Sequence, residues 1–212
     1  MKKIFIIGGM GSGKTAARDA LVEQGLPYID LDKVGHDVLT WEVVKNDLMA
    51  SFGLEVMNPT GEVNRAALAR KAFVSPAQTR KLNRITLPRI EDHFTRLADE
   101  LERKGAPAVV VEHSVFKNRE MSLAYSADVV IAVLAPLEVR VKRAVAAGWD
   151  EADVRRRIAQ QITDAERIEE ADVVFSNRGT REELREQVVS WWRKYSFDHG
   201  LDEAVKRFAR NV

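Results

Sequence analysis

"IFIIGGMGSGKTAARDAL", Ile4 to Leu21, places four glycines, a lysine and a threonine between an apolar run and a segment patterned as a helix. Gly8, four intervening residues and then Gly13-Lys14-Thr15 satisfy G-x-x-x-x-G-K-[ST], with a strand pattern before and a helix pattern after, the context this motif requires. Glycine admits backbone conformations closed to other residues. Successive N–H groups along Gly8, Gly9, Gly11, Ser12 and Gly13 can therefore turn inward and surround a phosphate without an intervening side chain. The helix beginning near Lys14 adds its positive end, Lys14 reaches the β- and γ-phosphates of a nucleotide, and the Thr15 hydroxyl is placed to ligate Mg²⁺. A nicotinamide site fits less well, because Gly11, Gly13 and Ala16 make only a partial G-x-G-x-x-G match and leave Lys14 unexplained.

Around this motif, the 212 residues with 45% hydrophobic content suffice for one domain, or one domain carrying a lobe, and exclude a disordered chain. The 33 Lys and Arg against 32 Asp and Glu leave a net charge of +1, so nothing global points to nucleic acid or an anionic membrane as partner. Absence of cysteine excludes disulfides, thiolate zinc sites and a cysteine nucleophile, and fits a reducing cytoplasm. The opening "MKKIFIIGGM" has lysines before an apolar run, like a leader, but the run breaks at Gly8 and is read as a strand. Nothing approaches the roughly 18 consecutive apolar residues of a membrane span.

Short β-branched runs recur at Lys3 to Ile7, Tyr28 to Leu31, Ala108 to Glu112, Val129 to Leu134 and Val173 to Phe175, with helical patterns between them. Runs of this kind are strands buried on both faces, and their alternation with helices predicts a three-layer α/β domain with a parallel sheet. The expected domain is a single one, with a core of residues 1–33 and 107–190 and a helical insert over 34–106. Within the insert, helical patterns run from Arg65 to Phe73 and from Ala77 to Arg103, after the turn "NPTGE" at Asn58 to Glu62. A second excursion, "RVKRAVAAGWDEADVRRRIAQQ" over Arg140 to Gln161, has the character of a lid, with Gly148 breaking one helix and Asp150 capping the next. A helical tail is expected over 181–212, with one ring of the Trp191-Trp192 pair packed inside.

"YIDLDKVGHDVL", Tyr28 to Leu39, puts Asp30 and Asp32 at alternate positions after the second strand. In an extended segment they point to the same side, at the strand end where open α/β sheets place their ligands, so one of them can accept a proton from an acceptor hydroxyl. The competing role for Asp32 is that of a helix N-cap.

With these segments in view, the sequence resembles the dephospho-coenzyme A kinase family, of the nucleoside-monophosphate-kinase-like P-loop group. The resemblance runs through "GGMGSGKT", "YIDLDKVGHDVL", "PTGEVNRAALARKAF", "KLNRITLPRI" and "RIAQQITDAERIEEADVVFSNRGTREEL", up to about Val189. It implies a P-loop kinase core with an inserted helical lobe and a short lid. The implied reaction is transfer of the γ-phosphoryl of ATP to the ribose 3′-hydroxyl of dephospho-coenzyme A. Carried over by position, Gly11 to Ala16 hold the ATP phosphates and Asp32 is the candidate base. Asn177 lies in a loop beside the adenine, or is simply a turn residue before Gly179. Arg65 contacts the acceptor, or is an exposed helix arginine, and the insert is the coenzyme A-binding lobe.

The sequence departs from the family pattern around the acceptor and the lid. "RITLPRI" has Leu87 where histidine is usual, "VEHSVFK" brings Glu112 and His113 to the end of the third strand, and Ile7 stands where threonine is more usual. Glu112 is expected as an acceptor contact or a water-mediated magnesium contact, or as a strand-end carboxylate with no role, and His113 as a satisfied polar residue. The histidines His36, His93, His113 and His199 show no metal-ligand spacing. Where the family opens its lid with arginine and aspartate, "RAVAAGWDE" has alanines and Gly148, so another arginine is needed: Arg143, Arg167 or one of Arg155, Arg156 and Arg157. These changes keep two other functions open, a kinase of another nucleotide or nucleoside acceptor and an ATP-binding protein without transfer.

Overall fold

The computed structural model describes residues 1–210. Strands β1 (Lys2–Ile7), β2 (Tyr28–Asp30), β3 (Ala108–Glu112), β4 (Val129–Leu134) and β5 (Val173–Ser176) form one parallel sheet in the order β2-β3-β1-β4-β5. The three central strands are the β-branched runs of the sequence, and Ile4 to Ile7, Val109 to Val111 and Val130 to Val133 are all shielded from water. Such continuous apolar runs require cover on both faces, which helices supply. At the edges, β2 and β5 expose alternate residues, so their sequence signal is shorter and weaker.

The chain divides into two compact units, one of Met1–Asp30 with everything from Ala98 onward, the other Leu31–Leu97. In the sheet unit, α1 (Lys14–Val22) and α9 (Arg181–Asp198) bury Ala17, Ala20 and Leu21 with Leu184, Val188 and Trp192 against Ile4, Ile6, Val110, Ile131 and Val133. The four-residue spacing of Leu184, Val188 and Trp192 keeps all three on one helix face, each burial stabilising by roughly 1.5–3 kcal/mol. Trp192 is the inward ring, while Trp191 lies edge-on to Phe175. The 140–161 excursion contains most of α6 (Leu137–Ala146) and all of α7 (Glu151–Ala159), separated at Gly148 with φ 92°, and Asp150 caps α7 by accepting from the Asp153 N–H at 2.9 Å. Helix α8 (Asp164–Glu170) precedes β5, and α10 (Asp202–Ala209) ends the tail, whose expected last two positions lie outside the described residues.

The helical unit comprises α2 (Leu31–Val38), α3 (Glu42–Phe52), a 3₁₀ turn at Leu54–Val56, α4 (Arg65–Ala72) and α5 (Pro76–Arg103) up to Leu97. Its own core is Val38, Val44, Leu48, Phe52, Val56, Leu68, Ala72 and Ile85. The turn read from "NPTGE" closes with an Asn58 N–H donating to the Glu62 carbonyl at 2.7 Å and Gly61 at φ 81°. Pro88 lies inside α5, where it removes one ladder donor; nearby, Thr86 Oγ1 donates to the Leu82 carbonyl and Arg89 to that of Ile85.

Candidate active site

Between β1 and α1 the loop Gly8 to Gly13 forms a cradle. Gly11 has φ 73° and Gly13 φ 103°, and a Cβ on Gly11 would meet the Arg140 carbonyl oxygen at 2.4 Å. Both positions therefore exclude other residues, by conformation and by space. Helices α4, α7, α8 and α9 carry side-chain caps from Asn64, Asp150, Thr163 and Thr180, whereas α1 begins at Gly13 with none. Its first N–H groups face outward by helix geometry, which makes this end a site for an anion. Lys14 is almost fully buried, with Nζ donating to the Gly9 carbonyl at 3.3 Å across the loop, and Ala16 packs against the main core.

Beside the cradle, register places Glu112 opposite Ile6 on one side and Asp30 on the other, so the two acids end adjacent strands. Glu112 is 7% exposed and is gripped at both oxygens: Thr15 Oγ1 donates to one at 3.0 Å and Arg18 to the other at 3.0 Å. Burial pushes the Glu112 carboxyl above the usual range, with the negative charge of Asp30 adding to it, while the Thr15 bond and the charges of Lys14 and Arg18 pull it back. Arg18 also pairs with Asp19 and lies 4.5 Å above the Tyr28 ring. Arg18 is absent from the expected site residues, although its place one turn after Lys14 on α1 is a signal that it faces the same strand ends.

Asn177 follows β5 and is 5% exposed. Its amide nitrogen donates to the Ser12 carbonyl at 2.8 Å, and Arg143 donates to its side-chain oxygen, to its carbonyl and to Gly179 at 3.1–3.2 Å. Asn177 thus braces the cradle, and Arg143 is held in bonds to the loop after β5. Of the other candidate lid arginines, Arg155 pairs with Glu138 and Glu151, Arg156 with Asp153, and Arg157 sits 5.0 Å from the Trp149 ring centre. Arg167 is 3% exposed and donates to Asp164 at 2.9 Å. The sequence reading missed Arg140, 5% exposed and also facing Asp164 at 3.6 Å, with a nitrogen 1.8 Å from where a Gly9 Cβ would stand. Burial lowers both of these guanidinium values against the opposing pull of Asp164, with Glu166 also drawing on Arg167.

His113 differs from the expected satisfied polar residue. It is 1% exposed, packed edge-on to Phe5 and Phe116, and neither ring nitrogen has a hydrogen-bond partner among the described residues. Burial holds it at about 4, so it is a neutral ring at ordinary pH. No group of three or more His, Asp or Glu able to hold a metal occurs among the described residues, and no helix there is long and apolar enough to cross a membrane.

Asp32 and Arg65 belong to the helical unit. Strand β2 ends at Asp30 and α2 starts at Leu31, so Asp32 lies in the first helical turn and not at an alternate position of an extended segment. The strand ends one residue earlier than expected, because Leu31 turns inward as the first buried residue of the helix. Arg65 opens α4, capped by Asn64, and is exposed. It lines a cavity of about 450 Å³ together with His36, Leu39, Thr40, Lys45, Glu62 and Val63.

Comparison with known proteins bears on this arrangement. A family model described as dephospho-CoA kinase matches residues 3–183. Dephospho-CoA kinases of Corynebacterium efficiens and Corynebacterium glutamicum are each 40% identical, over 88% and 87% of this chain and 94% and 92% of their own lengths. A crystal structure from Thermus thermophilus is similar with a TM-score of 0.77 at 29% identity, covering 91% of this chain and 97% of that one. A dephospho-CoA kinase from Campylobacter jejuni, at 21% identity, has the same fold with a TM-score of 0.70 over 94% of this chain and all of its own.

Proposed function

The chain belongs to the dephospho-coenzyme A kinase family, and on that premise we propose that it transfers the γ-phosphoryl group of ATP to the ribose 3′-hydroxyl of dephospho-coenzyme A, giving coenzyme A. The observation that carries the reading is the uncapped start of α1 behind a glycine cradle, with Lys14 and Thr15 facing a buried strand-end carboxylate. In phosphoryl transfer the protein positions two oxygens and neutralises charge, with little covalent chemistry of its own. Gly8, Gly9, Gly11, Ser12, Gly13 and the N–H groups of Lys14 to Ala16 hold the ATP phosphates, and the Lys14 ammonium meets their charge. Asn177 serves the nucleotide by fixing the Ser12 carbonyl and with it the cradle.

The donor set fits Mg²⁺. A hard cation that keeps several waters needs one or two protein oxygens and the phosphates, and Thr15, whose hydroxyl proton is directed to Glu112, leaves its lone pairs available. Bound there, the ion would neutralise charge on the β- and γ-oxygens. Glu112, oriented by Thr15 and Arg18, would hold water in its outer shell. Arg140 and Arg167 supply the charge assigned to a lid arginine, a role worth about 10³-fold or more in other phosphoryl-transfer enzymes.

On the acceptor side, Asp32 takes the proton of the 3′-hydroxyl and Asp30 orients the sugar. In the cavity, Arg65 offers a guanidinium to the anionic diphosphate of dephospho-coenzyme A, with Lys45 already paired to Glu42, Glu62 on the same wall, and Leu39 and Val63 offering apolar surface. The site suits a soluble intracellular enzyme acting on small molecules, with no nucleic acid or membrane required.

The test is incubation with ATP, Mg²⁺ and a panel of acceptors, followed by product analysis. Coenzyme A formation from dephospho-coenzyme A alone is expected. Turnover of another nucleotide or nucleoside with none of dephospho-coenzyme A would replace the acceptor, and ATP binding without any turnover would leave a binding protein.

A further inference from the structure

Met10, at the tip of the phosphate loop, is held by residues from both ends of the 140–161 excursion. Its N–H donates to Gln161 Oε1 at 3.0 Å, Arg140 Nε donates to its carbonyl oxygen at 3.0 Å, and a second Arg140 nitrogen donates to the same Gln161 oxygen at 3.3 Å. These three bonds close a ring. The Met10 side chain packs against Val141, Ala144 and Val154, with Ile158 beside it, so α6 and α7 grip the loop tip through its side chain as well.

A cradle made of glycines has many backbone conformations, and only one of them presents its N–H groups to phosphate. If nothing held it, the nucleotide would have to order the loop on binding, at the expense of affinity. The ring at Met10 does that ordering in advance. We propose that Gln161 is a positioning residue for phosphoryl transfer, acting through Met10 and Arg140 to hold the phosphate cradle in its binding shape. The segment joining α7 to α8 and the ATP site are thereby coupled: ATP is held tightly only while Gln161 stays seated on Met10. The inference rests on the kinase reading only for the identity of the nucleotide.

The full chain carrying Gln161→Leu tests it, since leucine fills similar space and accepts no hydrogen bond. By calorimetry with ATP and Mg²⁺ its affinity is expected to fall about tenfold, the scale set by losing an acceptor shared by two partly buried donors, with the KM for dephospho-coenzyme A unchanged. Gln161→Glu, which keeps an oxygen where both donors point, recovers most of the loss. Wild-type affinity in the leucine variant overturns the proposal, and so does failure of the glutamate variant to recover. A readout that needs no variant is amide hydrogen exchange of the nucleotide-free protein, in which the Met10 N–H should exchange slowly; exchange at the rate of an unprotected amide also overturns it. If the wild type binds ATP but leaves dephospho-coenzyme A untouched, the substrate assignment fails while the role of Gln161 is still decided by binding and exchange.

Discussion

The phosphate loop and the cavity of the helical unit are built on opposite plans. Around the loop, polar groups are tied to one another: Glu112 by Thr15 and Arg18, Asn177 by Ser12 and Arg143, Met10 by Gln161 and Arg140. In the cavity, the side chains of Arg65 and His36 make no hydrogen bond or ion pair among the described residues, and Lys45 is held by Glu42 and the Gly61 carbonyl. A preorganised cradle suits a triphosphate whose charge must be met the same way at every turnover. An open hollow with Arg65 unpaired among the described residues and Glu62 on its wall suits a long flexible acceptor that is held by charge at one point and by shape elsewhere.

The largest effects are expected at the two residues proposed as catalytic, Asp32 and Lys14. Asp32→Asn is expected to lower kcat by about 10²–10⁴ with ATP affinity nearly intact, the scale of losing a general base. Lys14→Ala should damage ATP binding and turnover together, because its charge meets the phosphates before and during transfer. Steady-state kinetics beside ATP calorimetry separates the two. If Asp32→Asn loses ATP affinity and Lys14→Ala does not, the division between a nucleotide region and an acceptor region is broken.

His113 and the Ser12 hydroxyl of the loop, both buried with no hydrogen-bond partner among the described residues, are exceptions to the saturated plan, and His113 makes the next prediction. Its folded value of about 4 lies below the ordinary value of 6.5 that it regains on unfolding. Between those values the unfolded chain binds a proton that the folded chain does not, so stability falls as pH drops through this window, by about 3 kcal/mol at its acid end. His113→Phe keeps an aromatic ring against Phe5 and Phe116 and removes the titration. Denaturant unfolding should then show similar stability at pH 7.5 and a shallower loss towards pH 4; equal slopes for both proteins would refute the assignment.

A smaller effect tests the open side. Arg65→Ala should raise the KM for dephospho-coenzyme A about tenfold, the order of one charge-assisted hydrogen bond, and leave the KM for ATP alone. An unchanged acceptor KM would reduce Arg65 to an exposed helix arginine.

The difference between the regions also decides what could be read from the sequence. Strand cores and the phosphate loop were legible because each depends on local chemistry: β-branched runs that need cover on both faces, and glycines where a Cβ cannot stand. Helix boundaries such as Asp150 and Gly148 were legible for the same reason. Arg140 and Gln161 were not, since they lie 130 and 151 positions from the Met10 they hold, and no local pattern records a partner at that distance. Asp32 was misplaced by a short-range ambiguity. A three-residue edge strand followed at once by a helix carries too few residues to distinguish period two from period 3.6, and the helix won because Leu31, Val34 and Val38 bury one face together. Of the cavity, single residues such as Arg65 lay in segments that the family resemblance covered, but the hollow itself is formed by packing and has no local pattern.

The smallest predicted effect is the one that probes how tightly the saturated side is tuned. Arg18 holds one oxygen of Glu112, and its charge favours the ionised carboxylate against the burial that raises it. A carboxyl held above its usual range is protonated, and its role lost, as pH falls, so activity should have an acid limb lying above the ordinary glutamate range. Arg18→Met keeps most of the aliphatic bulk over Tyr28 and removes the charge, leaving burial less opposed. The acid limb of kcat must then move to higher pH, while at alkaline pH, where Glu112 is ionised in both proteins, kcat falls less than about tenfold because Thr15 still holds the other oxygen. A pH profile that keeps its acid limb in Arg18→Met, or shifts it to lower pH, would mean that Arg18 does not act on Glu112 and that the Arg18–Glu112 contact is only packing.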